Sequence, residues 1–215
     1  MNRSVMTDAK YFLDLDFDVT NALSASLDLD ALRLTGEDPS GAHDIWCFMR
    51  DDLDKIFDAE WINRLESLGL SISYALVFYR KDNYFHPHAH VDTLGDENFD
   101  IQKDSIPVIN YGVNFVLDAE DDSEMIWYEL DPRDGTIADN FLINNGRGCS
   151  TWDLNHFYGK EVARKTIGRN LVLVNTAVPH TVQTFNKTRW SFSLRFTDLD
   201  RLSWNEAVDK FSKLT

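Results

Sequence analysis

Positive charge is what this chain has least of. Lys and Arg number 21 against 36 Asp and Glu, a net charge of −15. Such a balance repels phosphate backbones and anionic lipid surfaces, and no basic patch stands out to reverse it, so a nucleic-acid partner is disfavoured. It suits a cationic or zwitterionic substrate better than a polyanion. Cysteine is scarce as well: Cys47 and Cys149 lie far apart and match no metal or redox spacing, which reads as two reduced, buried thiols. No stretch approaches the roughly 18 apolar residues of a membrane span. The N-terminus lacks the apolar run of a secretory signal, so the expected compartment is the cytoplasm. There is no internal repeat and no low-complexity tract.

Aromatic residues, by contrast, are plentiful. Six Trp and fourteen Phe in 215 residues, with 43% hydrophobic residues, support a packed core in a single domain over 1–215. Within it, 1–70 reads as a helical support layer. Positions 51–68 set Leu53, Ile56, Phe57, Trp61, Leu65 and Leu68 at three- and four-residue spacings, which predicts one amphipathic helix ending at Gly69. From 71 the character changes to short β-type runs between turn signals, as in an all-β barrel or sandwich. Strands are predicted over 71–80, 108–117, 124–130, 171–176 and 189–196, with loops over 118–123 and 131–139. The segment 144–168 begins with loop chemistry, and its later part, 152–163, fits either a short helix or an irregular insertion. A last helix over 203–214 starts at Ser203, an N-cap with Glu206 in the capping-box position. The expected division is therefore a support layer over 1–70, a barrel over 71–200 and a C-terminal helix over 201–215.

The chemistry concentrates in Phe-His-Pro-His-Ala-His-Val-Asp at 85–92. In an extended segment residues two apart point to the same side, so His90 and Asp92 can converge on one ion. His86 and His88 share that parity, but four alternate residues span roughly 20 Å and cannot all reach one metal. A third ligand must come from elsewhere, and His180 is the candidate, with His156 the other histidine downstream. Two His and one carboxylate form the facial arrangement of non-haem Fe(II) sites. A His88, His90 and His180 set is the three-histidine alternative. His86 and His156 read as surface or substrate-side groups.

Beyond His180, a two-residue hairpin turn at Asn186-Lys187 would pair Thr184 with Arg189, Val182 with Ser191 and His180 with Ser193. His180, Arg189, Ser191 and Arg195 would then share one polar face, opposite Trp190, Phe192, Leu194 and Phe196. A guanidinium and a hydroxyl two residues apart make a fork for a carboxylate.

Together these residues resemble the Fe(II)/2-oxoglutarate-dependent oxygenase superfamily, whose pattern is His-x-Asp, a distal His, and an Arg-x-Ser beyond it. The matches are His90-Val91-Asp92, His180 and Arg189-Trp190-Ser191, within 78–196. The strand at 106–115 and Met-Ile-Trp-Tyr at 125–128 are also similar to small bacterial and phage proteins related to aspartyl/asparaginyl hydroxylases. Many of that branch lack the acidic ligand, whereas this chain has Asp92. The resemblance implies a double-stranded β-helix, a jelly-roll or cupin-like barrel with flanking helices. It implies Fe(II) held by His90, Asp92 and His180, and 2-oxoglutarate held at its far carboxylate by Arg189 and Ser191. The implied reaction consumes dioxygen, hydroxylates a small molecule or an amino-acid side chain, and releases succinate and CO2. Asn110, Tyr111 and Asn114 are candidates to line the pocket, with packing in the ladder as the alternative. Arg195 competes with Arg189 as the carboxylate anchor. Loops over 93–105 and 144–168 are expected to shape the substrate pocket. Two other functions stay open: a cupin-type metalloenzyme that does not use 2-oxoglutarate, and a non-catalytic barrel that only binds a ligand.

Overall fold

The computed structural model describes residues 10–85, 88–94, 111–118, 121–131, 133–134, 139–143, 147–153, 157–196 and 202–214. Its strands are β1 Phe12–Asp14, β2 His43–Met49, β3 Ile72–Arg80, β4 His88–Leu94, β5 Tyr111–Leu117, β6 Ser123–Glu129, β7 Asp139–Ile143, β8 Arg147–Asp153, β9 Lys160–Thr166, β10 Val172–Asn175, β11 His180–Thr184 and β12 Arg189–Phe196. The helices are α1 Leu29–Arg33, α2 Ala59–Ser67 and α3 Trp204–Phe211.

The strands form two six-stranded sheets, in the orders β1-β10-β5-β12-β3-β2 and β7-β8-β4-β11-β6-β9. β3 pairs with β12, β4 with β11, β5 with β10 and β6 with β9, all antiparallel. That nested pairing of first with last is the topology of a double-stranded β-helix. β1 and β2 widen the first sheet at its two edges, and the β7–β8 pair widens the second.

Residue alternation decides what each face of the first sheet does. Along β12, Trp190, Phe192 and Leu194 point outward with Val77, Tyr79, Val113 and Phe115 into one apolar cluster. The helices close that cluster. Asp58 caps α2 by accepting from the backbone of Glu60 and Trp61, and α2 buries Trp61 and Leu65. The Trp61 ring lies 6.2 Å from Phe115. α3 starts at the predicted Ser203–Glu206 capping box and buries Ala207 and Phe211, with Phe211 5.6 Å from Phe196. Because the helices cover only the outer face, the inner faces of the two sheets are left to face each other. Part of that interior is apolar, with Val116, Met125, Trp127, Val172, Val174 and Val182. The rest is polar.

Several expectations change. The single helix over 51–68 is a 3-10 turn, Arg50–Lys55, followed by α2. The helix stops because the backbone around Ile56–Asp58 bonds elsewhere: Ser24 N donates to Ile56 O and Asp58 N to Ala22 O, both at 2.9 Å. The apolar stripe survives the break except for Leu68, which is exposed. Gly69 does end the helix, in the left-handed region at φ +77°. The first seventy residues also contain β1 and β2, so they contribute strands as well as helices. The segment 144–168 contains β8 and β9 rather than a helix. β9 was hidden because it is an edge strand whose Lys-Glu-Val-Ala-Arg-Lys-Thr sequence carries charge, as exposed edges do.

The hairpin expected between 180 and 196 is absent. β11 and β12 lie in different sheets, so Thr184 and Arg189 do not pair. Ser191 instead faces Phe78 and Val116, and Ser193 faces Leu76 and Asn114. The shared polar face arises all the same, because the two inner faces oppose each other across the interior.

Candidate functional site

β4 lies between β8 and β11, and its alternation turns His90 and Asp92 to the same side. On β11, His180 is the direct cross-strand partner of His90, and their rings are 4.3 Å apart. One ligand atom from each of His90, Asp92 and His180 lies within 4.8 Å of the others, a cluster able to hold a metal ion. His90 Nε2 is 3.9 Å from Asp92 Oδ1. Thus the strand register brings together two residues near the start of the barrel and one near its end.

The orientation of each donor has a visible cause. His180 Nδ1 lies 2.9 Å from Val178 O; with Nδ1–H donating there, the lone pair is left on Nε2. Burial is the main influence on this imidazole and lowers its pKa, which favours the neutral form that metals bind. Asp92 Oδ2 accepts from Arg195 Nη2 at 2.7 Å. Arg195 is buried on β12, donates also to Ser193 Oγ, and Ser193 in turn donates to Asn114 Oδ1 at 2.5 Å. Gly112, beside Arg195, is what makes room: a Cβ there would overlap Arg195 Nη1. An isolated glycine inside a strand is the sequence signal for such a close approach, and it points to Gly112.

A second polar group sits toward the other end of β12. Arg189 and Arg80 are direct cross-strand partners, and each is only 4% exposed. Burial, then the Arg80 charge, push Arg189 down to about 9. Burial also lowers Arg80, partly offset by Tyr84, whose ring lies 5.0 Å from the Arg80 guanidinium. Ser191, buried next along the same inner face, lies between Arg189 and Ser193. Six residues of strand, about 20 Å, separate Arg189 from Arg195.

Of the residues singled out from the sequence, His90, Asp92, His180 and Arg195 come together, with Asn114 linked to them through Ser193. Arg189 and Ser191 line the same interior but are joined by Arg80, which sequence reading missed. Tyr111 is not an inner residue: it belongs to the outer cluster, 5.7 Å from Phe211. Asn110, His86 and His156 lie outside the described residues, as does the side chain of His88, whose backbone opens β4.

No family model matches the sequence, and no curated protein matches it. Among solved structures, HygX from Streptomyces hygroscopicus with nickel and 2-oxoglutarate bound is similar at 11% identity and a TM-score of 0.36, over 92% of this chain and 88% of that one. The same protein with nickel, 2-oxoglutarate and hygromycin B bound gives the same values. A likeness that distant carries no argument about what this chain binds.

Proposed function

We propose that this chain is an Fe(II)- and 2-oxoglutarate-dependent oxygenase that hydroxylates a small molecule or an amino-acid side chain. The observation that carries this reading is the His90, Asp92 and His180 cluster, with ligand atoms within 4.8 Å of one another inside a double-stranded β-helix. Two imidazoles and one carboxylate fit Fe(II), and such a donor set would leave room on the ion for a chelating co-substrate and dioxygen. The iron, when bound, supplies the redox chemistry by which one oxygen atom enters the substrate hydroxyl and the other the succinate, with CO2 released.

The protein's own residues supply orientation. Val178 O fixes the His180 ring, and Arg195 fixes Asp92 by holding Oδ2, so that Oδ1 faces the histidines. Arg195 and Asn114 therefore act as positioning residues rather than as co-substrate contacts. Arg189 and Ser191 bind the far carboxylate of 2-oxoglutarate. The chain order supports this: His180 opens β11, and Arg189 opens β12 directly after the corner that follows Thr184. The two turn residues of that corner are held by Asp122.

The test is spectroscopic. Fe(II) and 2-oxoglutarate added without oxygen should produce the weak visible charge-transfer band of the metal chelate. Iron binding without any such band on adding 2-oxoglutarate would exclude this function and leave a metalloenzyme of another kind.

A further inference from the structure

The cross-strand juxtaposition of Arg80 with Arg189 on the inner face of the barrel points to a two-guanidinium seat for a carboxylate, with Arg80 as a second anchor. The carboxylate's identity as the far end of 2-oxoglutarate rests on the proposed function. The anion seat itself does not.

Three observations converge. The two guanidiniums belong to directly paired residues of β3 and β12, so their side chains leave the sheet side by side. Both residues are 4% exposed, and Nε and Nη1 of Arg80 and Nε of Arg189 are buried without a hydrogen-bond partner. Among the described residues no carboxylate lies within salt-bridge distance of either. Buried like charges repel each other and have lost their water, an arrangement that persists only where something compensates it. Arg195, on the same strand, shows the contrast: it is as deeply buried and its Nε is also unpartnered, but its charge is met by Asp92.

A carboxylate supplies what is missing. Its two oxygens offer about four lone-pair directions, enough to meet one edge of each guanidinium. Arg80 is also held in place for this role. The Tyr84 ring lies over its guanidinium at 5.0 Å, and His43, the partner of Arg80 on β2, stacks on Tyr84 at 5.5 Å. A lone Arg189 would bind any 2-oxo acid with a far carboxylate; two cations sharpen the preference for that group over a neutral end.

The test uses the full chain loaded with Ni(II) and calorimetric titration with two ligands. 2-Oxoglutarate has the far carboxylate, whereas 2-oxobutyrate has the same chelating head without it. Arg80→Gln should weaken 2-oxoglutarate at least tenfold and leave 2-oxobutyrate within twofold, and Arg80→Lys, which keeps the charge but not the fork, should fall between. Unchanged 2-oxoglutarate affinity in Arg80→Gln, or equal loss for both acids, would overturn the assignment. If Arg80→Gln does not fold, Arg80→Lys carries the same comparison. Should the wild type bind neither oxo acid, the proposed function fails separately. The seat then stands only if sodium sulfate raises the Tm of the wild type and does so less in the Arg80 variant; otherwise it falls too.

Discussion

At pH 7 the Arg189 guanidinium is charged, although burial and then the Arg80 charge push it down to about 9, well below the ordinary arginine range. The unfolded chain therefore holds this proton more tightly than the folded one. In the free protein the resulting penalty is largest below about 9 and is relieved as pH rises from there toward the ordinary arginine range. Binding has the opposite sign, because a carboxylate beside Arg189 stabilises its charged form. Affinity for 2-oxoglutarate should be full below about 9 and fall as pH rises through it, with proton uptake on binding near that value. Titrations of the Ni(II)-loaded protein between about pH 7 and 10 check this, and a flat profile contradicts it. In Arg80→Gln the edge should move to higher pH, since the like charge is gone. Some of this was legible in the sequence: His90-x-Asp92 follows from strand alternation, and Arg189-x-Ser191 from its polar parity. Arg80 was not legible, because nothing local distinguishes an arginine that ends an apolar strand from one that reaches solvent.

The corner between β11 and β12 is the element on which the proposed co-substrate end of the site depends. Asp122, from the turn before β6, accepts from the backbone of Asn186 and of Lys187 and, at 3.0 Å, from Asn186 Nδ2. Replacing it by Ala should lower the Tm by about 3 °C, roughly 1 kcal/mol for a chain of this size. Its larger effect should be on ligands. Arg189 follows the corner directly while His180 precedes it by a strand, so affinity for 2-oxoglutarate should drop several-fold with Ni(II) affinity unchanged. Equal losses of both would mean that the whole barrel had loosened. The same corner explains the misread hairpin. A four-residue connection between two alternating runs looks alike whether the strands pair or pass to opposite sheets, and the decision depends on β3, β5, β4 and β6, which flank the two strands. The split in the helix predicted over 51–68 has a similar origin, since the contacts that break it come from 22–24.

For the molecule as a whole, charge is divided between outside and inside. The chain carries −15, yet the described interior facing the site holds Arg80, Arg189 and Arg195 against Asp92. Such a surface repels itself, and salt screens that repulsion. Raising NaCl from about 20 to 200 mM should therefore raise the Tm by about 2–4 °C. Arg80→Gln should show the same rise, because the effect belongs to the surface; a Tm that falls with salt would show that attractive ion pairs dominate instead. The acidic balance pointed toward a cationic or zwitterionic ligand, while the buried cations favour an anionic one. Net charge is a property of the surface and does not report on the interior.

By itself the sequence determined the β-rich barrel, the apolar outer face of β12 and the N-terminal capping box of the last helix, and it singled out the three residues proposed as metal ligands. Each is carried by local periodicity or by residue chemistry, which a linear chain displays. Only the tertiary structure decided that β11 and β12 part into separate sheets, that Arg195 belongs to Asp92, and that Arg189 stands beside Arg80. Those outcomes depend on which distant strands become neighbours, and antiparallel register, not nearness in sequence, sets that.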